Sequence, residues 1–305
     1  MCPKCASRLV KKNGRFRGIQ RYKCAECSTQ FQTTKKKDPS RIREKLWFDF
    51  CFRYSTVDTL KEKYRKSEKW VRNQLKLYEP PQKEPLPRAM VAIMDASKVG
   101  NEWIFVVRDP HAKENVYMST VPCESTFCYQ IAFKTLTEQG FTITAIVGDG
   151  KVAVSWLFKG IPSQMCHFHQ KQIVVRCITL NPLLPAGVEL LAIIQTLTKS
   201  TEAKFTLRFT DWCVKWDSFL KEKSLNEKTG KYAYTHRKLR SARDSIKRHL
   251  PILFTFERYP ELHIPNTTNS LDGSFTKIKN SIGIHAGLAH EQKMKMVRTL
   301  LGGKV

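Results

Sequence analysis

The chain has 305 residues and a formal net charge of +26, from 53 Lys and Arg against 27 Asp and Glu. That length suffices for one large domain and one or two small modules. The ten cysteines lack the spacing of a disulfide framework, and no apolar run is long enough for a signal peptide or a membrane span. Composition therefore excludes a secreted disulfide-rich domain and a helical membrane protein, and it predicts a soluble protein of the cytoplasm or, in a eukaryote, of the nucleus.

The positive charge is concentrated in the first part of the chain. Residues 1–88 contain 24 Lys and Arg and 9 Asp and Glu, so 24 − 9 = +15 of the excess lies there. A basic chain with its charge at one end predicts a polyanionic partner, and DNA or RNA is the usual one. A ribosomal protein, or a merely soluble basic protein, is the alternative on charge alone.

Two cysteine pairs lie near the N-terminus. Cys2 and Cys5 form one Cys-x-x-Cys pair and Cys24 and Cys27 form the other, with a basic segment between them. This spacing is typical of a structural Cys₄ zinc site, and so short a segment needs a metal to hold its fold. The pattern predicts a zinc ribbon at residues 1–37. A thioredoxin-like redox pair is the alternative, but no βαβ pattern surrounds these cysteines.

Residues 38–79 have the apolar spacing of three short helices, with Ser67 as the cap of the third. The outer face of that third helix is predicted to carry Lys69, Arg72, Asn73 and Lys76. Short helices in this arrangement predict a helix-turn-helix that reads a major groove, and a plain solvated bundle is the alternative. The lysines just before it are predicted to contact phosphates: Lys35, Lys36 and Lys37. Four prolines in residues 80–88 predict a semi-rigid linker.

Strand and helix signals alternate after the linker. Strands are predicted at 89–95, 102–108, 115–121, 142–148 and 163–168, with a helix at about 124–138. The inward positions of that helix are predicted to be Cys128, Ile131 and Ala132. Three strands, a helix, a strand and a helix form the order of a ribonuclease H-like sheet, in which the first strand is central and the fourth lies beside it. Asp95 and Asp149 would then meet at the ends of neighbouring strands.

Residues 170–262 are predicted to be mainly helical. Trp212 and Trp216 lie four residues apart on one helix face, which indicates a core pair or, alternatively, a surface on which an unpaired base stacks. A second predicted helix, at 235–257, carries basic residues that could follow a phosphate backbone: Arg237, Arg240, Arg243 and Lys247. A solvated basic face is the alternative.

A third carboxylate, Asp272, lies in the segment from Asn266 to Gly273 at the start of a predicted helix. Two Mg²⁺ ions about 4 Å apart need carboxylate oxygens, and such a pair can clamp the attacking and leaving oxygens of an in-line phosphoryl transfer. The three aspartates therefore predict a two-metal site for Mg²⁺ or Mn²⁺. Asn266 is predicted to cap the helix, and Asn269 could also cap it, contact substrate or support the metal ligands.

The chain resembles the zinc-binding variant of bacterial Mutator-type insertion-sequence transposases, which are members of the DDE/D superfamily. Any one of the matching motifs is weak, and the ordered set is specific. In chain order, these motifs are the cysteine pairs, the helix-turn-helix, Met94-Asp95-Ala96-Ser97, Val147-Gly148-Asp149-Gly150, Cys166-His167-Phe168-His169 and the Asn266 to Gly273 segment.

The resemblance implies that residues 89–305 form a ribonuclease H-like DDE/D domain with an α-helical insertion at about 170–262. It also implies that Asp95 and Asp149 are the first two metal ligands. Asp272 takes the place of the third acid, which is usually a glutamate in this superfamily.

Cys166 and His169 match the family's C/D-x-x-H element beside the second aspartate. Two residues are too few to ligate a separate zinc ion, so a role in positioning Asp149 or the scissile phosphate is predicted. A plain packing role is the alternative. The alternative third acids are Glu257, Glu261 and Glu291.

The predicted protein is thus a DNA transposase that binds the terminal inverted repeats of its insertion sequence and performs metal-dependent strand cleavage and transfer. Its predicted partners are double-stranded DNA, at element ends and targets, and further copies of the chain in a dimer or higher oligomer. The predicted location is the bacterial cytoplasm, at the nucleoid. One alternative is an inactive or domesticated transposase that acts as a sequence-specific DNA-binding protein, and another is a ribonuclease H-like nuclease or resolvase.

Overall fold

The computed structural model describes residues 1–32, 39–81, 84–150, 158–226 and 230–302. The predicted phosphate contacts Lys35, Lys36 and Lys37 lie outside these residues. The chain divides into two compact units. One comprises Met1–Asp49 with Val57–Glu79, and the other comprises Phe50–Thr56 with Pro80–Val305.

The first unit begins with a small antiparallel sheet. Strand β1 (Val10–Phe16) pairs with β2 (Ile19–Cys24), which in turn pairs with β3 (Gln30–Gln32). The turn between β1 and β2 holds Arg17 at φ 51° and Gly18 at φ 77°. Two consecutive residues with positive φ give a turn whose twist matches that of a two-residue hairpin, which explains the glycine at this point.

Three helices follow the small sheet: α1 (Pro39–Phe52), α2 (Val57–Tyr64) and α3 (Glu68–Leu77). They confirm the three predicted helices. Ser67 caps α3 as predicted, because its Oγ accepts the Trp70 backbone N–H at 3.3 Å. Within the first unit, the buried carboxylate of Asp49 accepts hydrogen bonds from Lys63 Nζ at 2.6 Å and from the Tyr64 hydroxyl at 2.9 Å, and so joins α1 to α2.

The second unit is α/β and is built around a five-stranded mixed sheet. Its strands are β4 (Ala89–Val99), β5 (Glu102–Asp109), β6 (Glu114–Val121), β7 (Thr142–Gly148) and β8 (Ser163–Met165). The order across the sheet is β6-β5-β4-β7-β8, with β4 antiparallel to β5 and parallel to β7. The first strand is therefore central and the fourth lies beside it, as predicted. All five predicted strands are present, although β8 ends early because a helix begins at His167.

Helix α4 (Thr126–Glu138) packs on one face of this sheet. Its buried residues are Cys128, Tyr129, Ala132 and Leu136. The prediction that Ile131 faces inward is wrong, since this side chain is 40 % exposed. The buried face of α4 is instead rotated towards Tyr129, whose ring meets the strand residue Phe105 edge-on.

A mainly helical region follows β8, as predicted. Its α-helices are α5 (His167–Ile178), α6 (Pro185–Gln195), α7 (Glu202–Lys215), α8 (Asp217–Lys221), α9 (Arg237–Leu253) and α10 (Thr255–Arg258). They enclose an apolar core of their own, which includes Phe205, Trp212 and Phe254. A hairpin of β9 (Lys223–Asn226) and β10 (Lys231–Tyr234), for which no strand is predicted, lies between α8 and α9.

The described chain ends with α11 (Asn269–Ile284) and α12 (His290–Gly302), and α11 contacts the central strand β4. The prediction that Asn266 caps this helix is wrong. Thr268 occupies the N-cap position, and the Asn266 side chain donates to the Thr198 carbonyl at 3.4 Å. None of the helices in the described ranges has the length and apolarity that crossing a bilayer requires.

Candidate functional site

The four cysteines of the N-terminal pairs lie together. The sulfur atoms of Cys2, Cys5, Cys24 and Cys27 lie within 4.8 Å of one another, with 3.5 Å between Cys2 and Cys27 and 3.6 Å between Cys5 and Cys24. Thiolates that bind one tetrahedral zinc ion at about 2.3 Å lie about 3.8 Å apart, so the cluster has the dimensions of such a site. The structure confirms that these four residues could bind a metal such as zinc.

Hydrogen bonds around the cysteine cluster favour a thiolate at Cys27. Contacts with the hydroxyl and the backbone N–H of Thr29 lower the pKa of Cys27 to about 6. The backbone of Ser7 lowers the pKa of Cys5, but contact with the Cys27 sulfur outweighs this effect and raises the pKa to about 12. Without metal, the cluster therefore keeps a proton at Cys5, and metal binding would release it.

The residues predicted on the outer face of α3 are all exposed: Lys69, Arg72, Asn73 and Lys76. Arg72 Nε lies 2.7 Å from Glu68 Oε1, one helical turn away, and both side chains are exposed. An exposed ion pair of this kind contributes little to stability, so Arg72 can exchange its partner for a phosphate or a base. The exposure agrees with a groove-facing role for α3, which stays a prediction.

Asp95 and Asp149 lie at matching levels of neighbouring strands. The parallel pairing of β4 and β7 joins Ile93 to Val147, and each aspartate lies two residues further along its own chain segment. Because the strands run in the same direction, both carboxylates lie towards the same edge of the sheet. The structure thus brings these two predicted acids to neighbouring positions.

Asp95 is the buried acid of this edge. Its side chain is 7 % exposed, and the Ala96 N–H donates to its Oδ1 at 2.9 Å. Burial raises the pKa of Asp95 to about 7; the charge of His169 opposes this rise, and the charges of Glu124 and Asp272 add to it. A divalent cation would stabilise the ionised carboxylate, so a buried acid among other acids fits a metal site.

Glu124 and Tyr129 belong to the same edge, although no sequence motif points to them. Since β5 is antiparallel to both β4 and β6, the strands β4, β6 and β7 run in one direction, and Glu124 follows the end of β6. The fully buried Tyr129 hydroxyl donates to Glu124 Oε1 at 2.5 Å. The pKa of Tyr129 is raised well above its ordinary value, first by burial and then by the charges of Asp149, Glu124 and Asp95. An acid directly after a strand that ends at this edge is the signal that could have identified Glu124.

A series of hydrogen bonds links Asp272 to Gly148, the residue before Asp149. The buried Thr268 hydroxyl donates to Asp272 Oδ2 at 3.1 Å, and the Thr268 backbone N–H donates to Cys166 Sγ at 3.3 Å. The Cys166 N–H then donates to the carbonyl of Gly148, directly before Asp149, at 2.8 Å. This geometry agrees with the positioning role predicted for Cys166. We refer to the four acids of this region as the carboxylate cluster: Asp95, Glu124, Asp149 and Asp272.

His169 lies next to the carboxylate cluster. Burial lowers the pKa of His169. The opposing effect is larger: contact with the Cys166 sulfur, and then the charges of Asp95 and Asp272, raise this pKa to about 9. Burial alone would raise the pKa of Cys166, but His169 and Thr268 lower it. His169 Nδ1 is buried and has no hydrogen-bond partner among the described residues. A protonated imidazole here could bind a phosphate oxygen.

A buried polar network supports the turn after Asp149. Gly150 has φ 76°, and a Cβ there would lie 2.0 Å from the buried Met165 Sδ, so glycine is required. His249 on α9 lies against this turn: burial lowers its pKa, while the charge of Asp149 and the Gly150 backbone oppose that shift. His249 Nδ1–H donates to Gln170 Oε1 at 2.6 Å, which joins α9 to α5.

Other predicted residues lie outside this arrangement. Asn269 is exposed at the start of α11, so its role near a metal stays a prediction. Of the alternative third acids, Glu257 accepts the Glu202 backbone N–H at 3.0 Å, whereas Glu261 and Glu291 are exposed. Within the described ranges, only the four cysteines form a group of three or more possible ligands at single-ion distance. The acids of the carboxylate cluster are therefore more widely spread than the ligands of one bound ion.

The tryptophans of the helical region have structural partners. Trp212 is 2 % exposed, and its indole N–H donates to the Ala186 carbonyl at 2.9 Å. The indole N–H of Trp216 donates to Glu189 Oε2 at 2.9 Å. The core interpretation is therefore correct for Trp212, and its interpretation as a base-stacking surface is wrong.

The basic residues predicted to follow a phosphate backbone on α9 divide into two kinds. Arg237 and Lys247 are exposed. Arg240 and Arg243 are half-buried and bonded within the chain, Arg240 Nη1 to the Leu220 carbonyl at 2.9 Å and Arg243 Nη2 to Asp244 Oδ1 at 2.8 Å. The exposed pair is thus better placed for a phosphate than the other two.

No protein-family model matches the chain, and no curated protein matches it. The similarity to DDE/D transposases therefore depends on the motifs and their order. Three features of the described residues bear on the function: the cysteine cluster, the exposed face of α3 and the carboxylate cluster.

Proposed function

We propose that the chain is a DNA transposase of the Mutator-like DDE/D superfamily, which binds the terminal inverted repeats of its insertion sequence and cleaves and transfers DNA strands. The observation that carries the proposal is the carboxylate cluster, in which Asp95 lies on β4, Asp149 directly follows β7 and Asp272 lies on α11. The sheet order supports a ribonuclease H-like domain, because such a domain needs a central first strand with the fourth beside it. The +15 charge of residues 1–88 supports DNA as the partner of the N-terminal modules.

The residues have distinct roles in this proposal. Asp95, Asp149 and Asp272 hold Mg²⁺ or Mn²⁺, and Glu124 offers a further oxygen ligand of the type these ions prefer. When bound, the ions lower the pKa of an attacking water or 3′-hydroxyl and stabilise the leaving oxygen. His169 keeps its proton at neutral pH and neutralises part of the charge of a phosphate placed between these acids.

Cleavage of DNA that carries the sequences flanking the gene tests the proposal. Asp95→Asn and Asp149→Asn should each reduce Mg²⁺-dependent cleavage by at least about 100-fold, because each removes charge stabilisation at the reacting phosphate. The matched control is Asp211→Asn, an exposed aspartate on α7. Circular dichroism and gel shifts check that each variant folds and binds DNA. Unchanged cleavage by Asp95→Asn would refute the two-metal assignment.

The spread of the carboxylate cluster favours a second function, since these acids are not at single-ion distance. A catalytically inactive or domesticated transposase would keep sequence-specific DNA binding without needing the metal. The two functions differ in one measurement. Selective binding of terminal repeats, with no strand cleavage in either Mg²⁺ or Mn²⁺, would favour the second function over the first.

A further inference from the structure

Two lysines lie together beside the start of α5, and we refer to them as the lysine pair. Lys171 is half-buried at the start of the second turn of this helix. Lys199 is exposed at the end of a 3₁₀ turn, Leu197–Lys199, that packs against α5. Burial lowers the pKa of Lys171, and the charge of Lys199 lowers it further, so the two ammonium groups are neighbours. Neither side chain has a hydrogen bond or an ion pair within the described residues.

Asn266 joins the two segments that carry the lysine pair. The His167 N–H, at the start of α5, donates to the Asn266 carbonyl at 2.9 Å. The Asn266 side chain donates to the carbonyl of Thr198, directly before Lys199, at 3.4 Å. One residue therefore fixes the backbone on both sides of the pair, which gives Asn266 a role other than the helix cap.

The lysine pair lacks the compensation that other partly buried charges of the chain have. Asp49 is paired with Lys63 at 2.6 Å, and Asp109 is paired with Arg88 at 2.7 Å. Two like charges without an acidic partner repel each other, and the burial of Lys171 adds a desolvation cost. An anion between the two ammonium groups would offset both costs, so the pair has the charge of a binding site.

The lysine pair is separate from the carboxylate cluster. The charges of Asp95 and Asp272 act on His169, in the first turn of α5. Lys171 follows His169 by two residues, and two residues of an α-helix span about 200° around its axis. Lys171 therefore lies on a different side of α5 from His169, and an anion on the lysine pair is not the phosphate that reacts.

We propose that the lysine pair binds one phosphate group of the DNA backbone, at a position away from the bond that is cleaved. This inference rests on the proposed function, which makes DNA the anion that the chain meets. Lysine is a point charge without the planar fork of arginine, so the contact adds affinity without reading sequence. The same ammonium groups could bind a free phosphate ion, and the experiment has to separate these two sources.

Fluorescence anisotropy with the full chain and duplex DNA, over a series of salt concentrations, tests this inference. Because the two lysines share one phosphate, the double variant Lys171→Gln/Lys199→Gln should reduce the salt slope by about 0.9, for terminal-repeat and random DNA alike. Two independent contacts would instead reduce it by about 1.8. Lys171→Arg keeps the charge and should retain the slope. The matched control is Lys134→Gln, an exposed lysine on α4, which should also retain it.

A salt slope that does not change in the double variant would overturn the inference and leave the proposed function intact, provided that the variant still cleaves DNA in Mg²⁺. A reduction of about 1.8 would overturn it too, because the lysines would then bind separate phosphates.

Inorganic phosphate, added at constant ionic strength, tests the other source. If it raised the Tm of the unaltered chain but not that of the double variant, and the salt slope for DNA were unchanged, the site would hold a free anion and the inference would fall. The expected change in slope, with no strand cleavage by the unaltered chain, would support the lysine pair and overturn the catalytic part of the proposed function.

Discussion

Tyr129 is a buried residue whose hydroxyl lies within electrostatic range of three acids, Asp95, Glu124 and Asp149. It donates to Glu124 at 2.5 Å. The ring is held against Phe105, with 4.9 Å between the ring centres. A fixed donor of this kind limits the positions that the Glu124 carboxylate can adopt, so Tyr129 is a positioning residue for the carboxylate cluster.

Replacing Tyr129 by Phe should therefore lower Mg²⁺-dependent cleavage by about 10- to 100-fold, because a hydrogen bond to a charged group contributes about 1.5–3 kcal/mol. The Mg²⁺ concentration for half-maximal cleavage is the informative measurement, since a purely structural role would not shift it. Tyr117→Phe is the matched control, because Tyr117 contacts the same Phe105 ring from β6. An unchanged Mg²⁺ dependence in Tyr129→Phe would contradict this role.

His167 is a fully buried histidine whose Nε2–H donates to the Leu253 carbonyl at 2.6 Å. Burial lowers the pKa of His167 from 6.5 to about 4. At pH 5 the unfolded chain therefore binds a proton that the folded protein does not. The free energy of unfolding consequently falls as the pH falls from about 6.5 towards 4.

We expect His167 to reduce the free energy of unfolding by about 2 kcal/mol between pH 7 and pH 5. Urea denaturation followed by tryptophan fluorescence measures this change. His167→Gln cannot be protonated but can still donate to Leu253, so it should lose about 2 kcal/mol less than the unaltered chain over the same interval. His111→Gln, at an exposed position, should behave like the unaltered chain. Equal losses in the unaltered chain and His167→Gln would refute the neutral buried ring.

At the scale of elements, the start of α11 matters most for the proposed chemistry. Thr268 joins this helix to Cys166 at the start of α5, and its hydroxyl holds the Asp272 carboxylate. The position of the third acid therefore depends on a contact between two helices rather than on α11 alone.

Thr268→Val should keep the shape of the side chain and remove the donor to Asp272. We expect cleavage to fall about tenfold or more, because the carboxylate loses a hydrogen bond of about 1.5–3 kcal/mol. Thr268→Ser retains the hydroxyl and should retain most of the activity. Cleavage by Thr268→Val at the rate of the unaltered chain would show that Asp272 needs no such support.

Helix α3 gives a prediction about sequence recognition. Asn73→Ala and Arg72→Ala should each reduce the preference for terminal-repeat DNA over random DNA by about 5- to 100-fold, because side chains that face a groove read base edges. Competition gel shifts measure this preference. The control is Lys134→Ala, whose side chain is 77 % exposed and is paired with Glu138 one turn away, as Arg72 is with Glu68. An unchanged preference would place recognition elsewhere in the chain.

The elements of the sheet could be predicted because β4 and β7 are long apolar runs that each end near an aspartate. The buried face of α4 could be predicted only in part: Cys128 and Ala132 are buried as predicted, whereas the apolar Phe127 and Ile131 are 65 % and 40 % exposed. Apolar periodicity therefore includes Ile131 wrongly and misses Tyr129.

Contacts between distant residues gave no local signal. The contact of Cys166 with Thr268 spans 102 residues, so no pattern within either segment reveals it. The strands β9 and β10 are four residues each, which is the shortest run in which the alternation of a strand can be recognised. The cysteine cluster was predictable because metal ligands must have fixed residue types and spacing.

At the scale of the whole molecule, the first unit should depend on zinc. Elemental analysis should find one zinc ion per chain, and chelation should unfold the small sheet and expose the four thiols of the cluster to a thiol reagent. Cys27→Ser should lose the zinc, whereas Cys123→Ser, at an exposed cysteine outside the cluster, should retain it. A chain that folds and binds DNA normally after complete removal of zinc would refute a structural role.

The placement of the last acid on α11 has a consequence for how the protein is made. A ribosome that adds about 5–20 residues per second needs on the order of ten seconds to proceed from Asp149 to Asp272. Under the proposed function, a nascent chain can therefore fold its DNA-binding unit before it contains a complete catalytic site. Fragments that end before α11, from premature termination or proteolysis, would occupy element ends without cutting them, and they would act as competitive inhibitors of the complete protein.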